Sequence, residues 1–150
     1  MPVLTRRATL GLLAASPFLA RPAFAATPPV YAEDGIAIDG SDTVAYFAGD
    51  GPVAGDPAIT HDWNGAVWQF ASAANRDRFA ANPEQYAPAF GGWCAYAVSK
   101  GYTAATVSHA WTLLDGGLYL NFSRSVQFLW RRDIPGNIAK GNANWPGVLA

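Results

Sequence analysis

The order of apolar and polar positions after residue 30 predicts short strands separated by turns. Ile36 and Ile38 alternate with small or polar residues between glycines at 35–40, which predicts a short strand. Residues 42–47 follow as a second short segment that is predicted to be extended or a turn. Gly, Pro and Asp crowd residues 49–57. Because these residue types favour turn dihedrals, this stretch is predicted to be a loop.

Two β-hairpins are predicted from bulky residues on either side of turn-forming residues. The first covers residues 61–70 and turns at Asn64-Gly65. Asn-Gly is a strong hairpin signal because both residues tolerate positive φ. The second covers residues 111–122 and turns at Asp115-Gly116-Gly117, with alternating bulky side chains on both arms.

Each hairpin leads into a predicted helix that begins after a serine. The Ser72 hydroxyl can accept a free backbone N–H at the start of a helix that ends before Pro83. Ser123 can cap a second helix in the same way, and Pro135-Gly136 is predicted to end it.

The last elements complete a chain of mixed class. Val126, Leu129 and Trp130 recur at helical spacing and are predicted to share one face of the second helix. A final short helix is predicted over residues 138–145. Hairpins and helices in this order predict fold class α+β, with a single domain over residues 26–150.

Composition supports a folded domain and argues against several functions. The chain has 150 residues, of which 51% are apolar and 14% charged, so it can bury a sizeable core. Its formal charge of −1 gives no basic field for a nucleic-acid partner. One cysteine excludes an intramolecular disulfide, and with two histidines a site built only from Cys and His has at most three ligands.

The first 25 residues have the pattern of a secretory signal peptide. Arg6 and Arg7 precede an apolar run over residues 10–20, and Ala23-Phe24-Ala25 places small residues at cleavage-site spacing. The paired arginines suit either the general or the twin-arginine export route. The apolar run is shorter than the ~20 residues that cross a bilayer. We therefore expect a periplasmic mature chain without a membrane span.

A set of motifs covers residues 42–86. It comprises an aromatic hairpin at 63–70, Phe-x-Ser at 70–72 and Phe-x-x-Asn-Pro-x-x-Tyr at 79–86. The segment 42–47 resembles an upstream Asp-Pro-Val segment. Together these motifs resemble the YHS domain, a small module related to treble-clef metal-binding folds, and the remainder resembles its exported bacterial branch. The resemblance implies a treble-clef-like hairpin and helix, extended by the second hairpin and C-terminal helices.

The resemblance also implies a metal site whose usual ligands this chain lacks. Metal-binding YHS modules carry cysteines at the positions that correspond to Ala45, Ala71 and Asn75. Two alanines offer no donor atom to a metal ion. The usual YHS metal site is therefore predicted to be absent. Cys94 lies outside the matched motifs, at a position where the resemblance implies selenocysteine in some relatives.

Three roles for Cys94 remain open. As a soft-metal ligand it would bind a copper ion such as Cu(I), with His61, His109 or an aromatic ring completing the site. As a redox thiol it would pass through a sulfenic acid or a mixed disulfide, which requires an accessible sulfur. As a small buried residue among Trp93 and Tyr96 it would be inert.

A binding cleft is expected around Asp42, Tyr46, Trp93 and Tyr96. Asp42 equally suits a turn cap, and Tyr46 equally suits a core ring.

The sequence contains no serine-hydrolase, zinc-protease, phosphate-loop or Cys-x-x-Cys motif, which argues against an enzyme. We expect a periplasmic binding protein that handles a soft metal such as copper through Cys94. The alternatives are a thiol-redox protein that uses Cys94 and a metal-free module that docks to a protein partner.

Overall fold

A computed structural model describes residues 25–150. The predicted signal peptide, apart from Ala25, lies outside the described residues. The described part combines small β-sheets with six α-helices, which confirms the prediction of class α+β. None of the helices in this part has both the length and the apolar character needed to cross a membrane.

The larger sheet contains the first predicted hairpin and two shorter strands. Its four strands lie in the spatial order β1-β2-β4-β3. They are β1 (Ala32–Glu33), β2 (Ile36–Ala37), β3 (Asp56–Trp63) and β4 (Ala66–Phe70). In the confirmed hairpin, His61 lies opposite Trp68. The strands β2 and β4 are parallel, whereas the other neighbouring pairs are antiparallel.

The second predicted hairpin forms a separate sheet of β5 (Trp111–Leu114) and β6 (Gly117–Leu120). The two faces of β6 meet different parts of the core. Leu118 and Leu120 pack into a cluster with Trp68 and Phe70, whereas Tyr119 packs against a second cluster around Trp130. Because side chains alternate across a strand, this hairpin joins the two clusters.

Six helices surround these sheets, and two of them begin at the predicted serines. They are α1 (Thr43–Ala48), α2 (Ala73–Ala81), α3 (Pro83–Tyr86), α4 (Ala95–Ser99), α5 (Arg124–Arg131) and α6 (Ile134–Asn144). Ser72 Oγ accepts the Asn75 N–H, and Ser123 Oγ accepts the Val126 N–H. Both predicted caps are confirmed, and each satisfies a backbone donor at a helix start.

Two helix boundaries were predicted wrongly. Residues 42–47 are not extended, because the Asp42 carboxylate accepts the N–H groups of Val44 and Ala45 and starts α1. Pro135 does not end α5, which stops at Arg131. Pro135 lies in the first turn of α6, which begins four residues earlier than predicted. Proline is favoured in a first turn because the N–H that it lacks has no partner there.

One predicted helix face is also wrong in part. Trp130 is fully buried in α5, but Leu129 is 41% exposed. Gln127 occupies the buried side instead, where its amide Nε2 donates to Trp111 O and Thr112 Oγ1. The hydrogen bonds to β5 thus hold a polar residue inside and leave an apolar residue in solvent.

Candidate functional site

Cys94 lies on the loop just before α4, and its backbone is held on both sides. Its N–H donates to Ala104 O at 2.9 Å, and its carbonyl accepts the Val98 N–H at 3.0 Å. Only 1% of the residue is exposed. The sulfur is therefore fixed in place, and its surroundings decide what can reach it.

The two residues that directly follow β6, Asn121 and Phe122, form hydrogen bonds with the sulfur of Cys94. Cys94 Sγ donates to Asn121 Oδ1 at 3.6 Å and accepts the Phe122 N–H at 3.3 Å. The Tyr96 N–H donates to the same Oδ1 at 3.2 Å. Because a backbone N–H can only donate, this contact fixes which end of the Asn121 amide faces the thiol.

Asn121 itself has an unused donor. The residue is fully buried, and its Nδ2 has no partner among the residues described. Its backbone is paired, with the N–H donating to Ala110 O and the carbonyl accepting the Val107 N–H. A buried donor without a partner costs about 1–3 kcal/mol. Since Nδ2 and Oδ1 share one carbon, this donor lies beside the atom that contacts the sulfur.

A pocket of about 290 Å³ reaches Cys94 from the surface. Its lining is mostly apolar and comprises Cys94, Tyr96, Ala97, Tyr102, Ala104, Phe122 and Val126. Tyr102 and Phe122 are the exposed residues of this lining, at 56% and 54%. A small molecule with apolar groups can enter here because the walls offer it contact while the mouth remains open.

The two histidines do not join Cys94. His61 is half-buried on β3, and its ring packs edge-on against Phe79 with the centroids 6.0 Å apart. His109 is exposed and lines a different cleft, which it shares with Arg124 and Arg131. Over residues 25–150, no three His, Cys, Asp or Glu side chains are grouped so that they could hold a metal ion.

Asp42 is fully buried, and four N–H donors satisfy its carboxylate. Oδ1 accepts from Val44 N at 2.9 Å and Ala45 N at 3.3 Å. Oδ2 accepts from Ala71 N at 2.9 Å and Asn75 Nδ2 at 2.8 Å. Asp42 therefore caps α1 and ties it to the start of α2, which agrees with the turn-cap alternative.

The predicted cleft of Asp42, Tyr46, Trp93 and Tyr96 does not form, because the first two residues are buried. Tyr46 donates its hydroxyl to Ser108 O at 2.8 Å, and burial raises the pKa of Tyr46 to about 12. The Trp93 indole N–H donates to a backbone carbonyl at 2.9 Å. Of the four, only Tyr96 lines the pocket of Cys94.

A separate acidic group lies near β1. The Tyr31 hydroxyl donates to Glu33 Oε1 at 2.8 Å, and Asp39 lines the same cavity of about 320 Å³. Partial burial, followed by the charge of Glu33, raises the pKa of Asp39. Burial, the hydrogen bond to Glu33 and the nearby carboxylates also raise the pKa of Tyr31.

Comparisons of the chain with protein-family models, with curated proteins and with solved structures gave no match.

Proposed function

We propose that the chain is a YHS-type domain with a treble-clef-like core in which hydrogen bonds replace the metal site. The support is a convergence of three positions. Ala45 N, Ala71 N and Asn75 Nδ2 all donate to the Asp42 carboxylate, at 3.3, 2.9 and 2.8 Å. These are the residues that correspond to metal-binding cysteines in the resemblance, and metal ligands likewise converge on one point from separate elements.

Restoring those cysteines tests the core. The combined variant Ala45→Cys, Ala71→Cys and Asn75→Cys is titrated with Co²⁺, whose thiolate complexes absorb visibly and report tetrahedral sites. We expect one bound ion per chain, held by the three thiolates and a fourth oxygen or nitrogen ligand. The matched variant with serine at the same positions should show no such absorption. If the cysteine variant folds and binds no Co²⁺, the treble-clef-like core is contradicted.

We propose further that the protein is an exported thiol-redox protein whose reactive group is Cys94. The observation that carries this proposal is the position of Sγ. It lies at an apolar pocket that opens to solvent, accepts the Phe122 N–H and donates to the Oδ1 of Asn121, whose Nδ2 donor is unused. An N–H donor stabilises negative charge on sulfur, which is the nucleophilic form.

The chemistry that fits this arrangement starts with a peroxide. The sulfur attacks the O–O bond, an S–O bond forms as the O–O bond breaks, and the sulfur loses two electrons to the peroxide. The departing oxygen takes up the thiol proton and leaves as an alcohol or water. The new oxygen on Sγ would be a hydrogen-bond acceptor, which the buried Nδ2 of the neighbouring Asn121 lacks.

Reduction must come from outside the chain because Cys94 is its single cysteine. A small external thiol displaces the oxygen of the sulfenic acid as water and forms a mixed disulfide with Cys94. A second external thiol attacks that disulfide, returns Cys94 to the thiol and leaves as the external disulfide. The apolar walls of the pocket favour an organic peroxide over hydrogen peroxide.

Copper binding through Cys94 stays a prediction. The residues that line the pocket include no His, Asp or Glu, so the sulfur would be the single strong donor there. The hydrogen bond from the Phe122 N–H also occupies a lone pair of the sulfur that a copper ion would otherwise bind. These contacts favour the redox role over the metal role.

Mass spectrometry with a sulfenic-acid trap decides between the two roles. The protein is treated with cumene hydroperoxide or hydrogen peroxide and then with dimedone, and Cys94→Ser is the control. We expect one dimedone adduct, on Cys94, and we expect it to form faster with cumene hydroperoxide than with hydrogen peroxide. No adduct should form when an external thiol is added after the peroxide and before dimedone. A thiol that stays unmodified while it binds Cu(I) under reducing conditions would contradict the redox proposal and support copper.

A further inference from the structure

Three arginines lie on the outer surface of α5 and at its end. Arg124, Arg131 and Arg132 are all exposed. Phe128 lies four residues after Arg124 and four before Arg132, and it is 68% exposed. Because residues four apart share a helix face, the ring projects between cationic side chains.

A polar cleft of about 400 Å³ lies between α5 and β5. It is lined by His109, Arg124 and Arg131 together with Thr112 and Gln127, among others. Arg131 Nε donates to Thr112 Oγ1 at 3.1 Å, which holds this guanidinium at the cleft. The only ion pair within residues 25–150 joins two residues of α2, so none of the α5 arginines is paired with a carboxylate there.

Exposed apolar side chains border the same cleft and helix. Phe122 precedes α5, Phe128 and Leu129 belong to it, and Leu113 on β5 lines the cleft. These are four of the five large apolar side chains that are exposed in the described chain. Single exposed apolar residues are ordinary, but a group of them interleaved with unpaired cations marks a binding surface.

We propose that this surface, formed by α5, Leu113 and His109, docks onto an anionic phospholipid bilayer. A lipid phosphate would occupy the cleft of His109, Arg124 and Arg131, while Phe128 and Leu129 enter the boundary between headgroups and acyl chains. Interfacial helices bind membranes through cationic side chains together with aromatic or aliphatic ones. A fluid lipid surface provides phosphates and apolar chains at every position, so it can satisfy interleaved arginines and rings together.

Acidic and basic residues are segregated along the sequence after residue 25. After residue 25 the first basic residue is Arg76, and the acidic residues at positions 33–62 all precede it. The arginines of α5 come later in the chain. An anionic bilayer attracts these arginines, which α5 presents beside Phe128.

Vesicle flotation tests the proposal on the chain from residue 26 onward. Vesicles of phosphatidylcholine are compared with vesicles that also contain phosphatidylglycerol. We expect binding only to the anionic vesicles, with a steep loss on adding salt. The variant Arg124→Gln with Arg131→Gln should bind about 25-fold more weakly, at about five-fold for each arginine. The variant Arg76→Gln with Arg78→Gln removes the same charge from α2 and should leave the affinity unchanged.

A second experiment distinguishes binding to a lipid bilayer from binding to free phosphate. Phe128→Ser should weaken vesicle binding while leaving the weak binding of inorganic phosphate, followed by NMR, unchanged. Cys94→Ser should bind vesicles like the original chain, so this outcome is independent of the redox proposal. The proposal is overturned if the protein does not bind vesicles, if it binds pure phosphatidylcholine vesicles equally well, or if Phe128→Ser has no effect on vesicle binding. A dimer seen by light scattering that buries Phe128, or capture of Phe128 by an acidic protein instead of vesicles, also overturns it.

Discussion

Asp42 Oδ2 accepts a hydrogen bond of 2.8 Å from Asn75 Nδ2, and this contact joins the first helix to the second across 33 positions of sequence. The same carboxylate caps α1 through Val44 and Ala45. Asp42 is fully buried, so a change at this position leaves donors on two helices and at the end of β4 without an acceptor.

Asp42→Ala should therefore destabilise the fold by about 4 kcal/mol. Loss of a helix cap costs about 1 kcal/mol, and each hydrogen bond to a charged group about 1.5–3 kcal/mol, with incomplete additivity. Urea unfolding followed by circular dichroism measures the change. Asp50→Ala, in an exposed loop, should change stability by less than about 0.5 kcal/mol. A loss below about 1 kcal/mol for Asp42→Ala would contradict the role of the carboxylate.

Local signals predicted the hairpins and two helix starts. Asn64-Gly65 and the serines at 72 and 123 act on residues within three positions of themselves, so their effect is visible in the sequence. The start of α1 was missed although the cap that Asp42 provides to Val44 and Ala45 is local, because a helix of six residues shows little periodicity. Half of the contacts of Asp42 come from Ala71 and Asn75, which the chain brings close only after folding.

The candidate site was predictable only in part. Cys94 could be found because it is the one cysteine in the chain, but its burial and pocket depend on packing. Asn121 was missed, since its contact with the sulfur spans 27 positions. A weak signal existed, because a polar residue follows the alternating apolar residues of β6. His61 and His109 could not be assigned from their neighbours, and the structure puts them in two other regions.

Asn121→Asp should slow the reaction of Cys94 with peroxide at least about ten-fold. The aspartate keeps the acceptor for the Tyr96 N–H, but it places a negative charge beside Sγ that opposes the thiolate. The rate of loss of free thiol after adding cumene hydroperoxide measures the effect. Asn142→Asp, at an exposed position of α6, adds the same charge away from the sulfur and should leave the rate unchanged.

Asp39→Asn should stabilise the protein more at neutral pH than in acid. Partial burial and then the charge of Glu33 raise the pKa of Asp39 above 3.8, so the folded state holds this proton more tightly than the unfolded chain does. The contribution of Asp39 to stability is thus fully present below 3.8 and is lost as the pH rises through the raised pKa. Asparagine has no such loss.

Urea unfolding of the original chain and Asp39→Asn at about pH 3 and about pH 7 measures this difference. Asp39 has φ 57°, a left-handed conformation that asparagine also adopts well, and that gain is the same at both pH values. Asp34→Asn, at an exposed position with φ 49°, controls for the backbone gain. A stability gain for Asp39→Asn that is equal at both pH values would contradict the assignment.

Gly91→Ala should cost more than about 3 kcal/mol, whereas Gly101→Ala should cost about 1 kcal/mol. Both glycines have positive φ, at 61° and 90°, so both variants bear the strain of a left-handed alanine. A Cβ at Gly91 would also overlap the carbonyl oxygen of Pro29, but one at Gly101 would meet open space. Gly91 O accepts the Tyr31 N–H, so relief of the overlap would break this hydrogen bond. Thermal unfolding compares the two variants, and equal losses would show that the close approach at Gly91 contributes nothing beyond its φ.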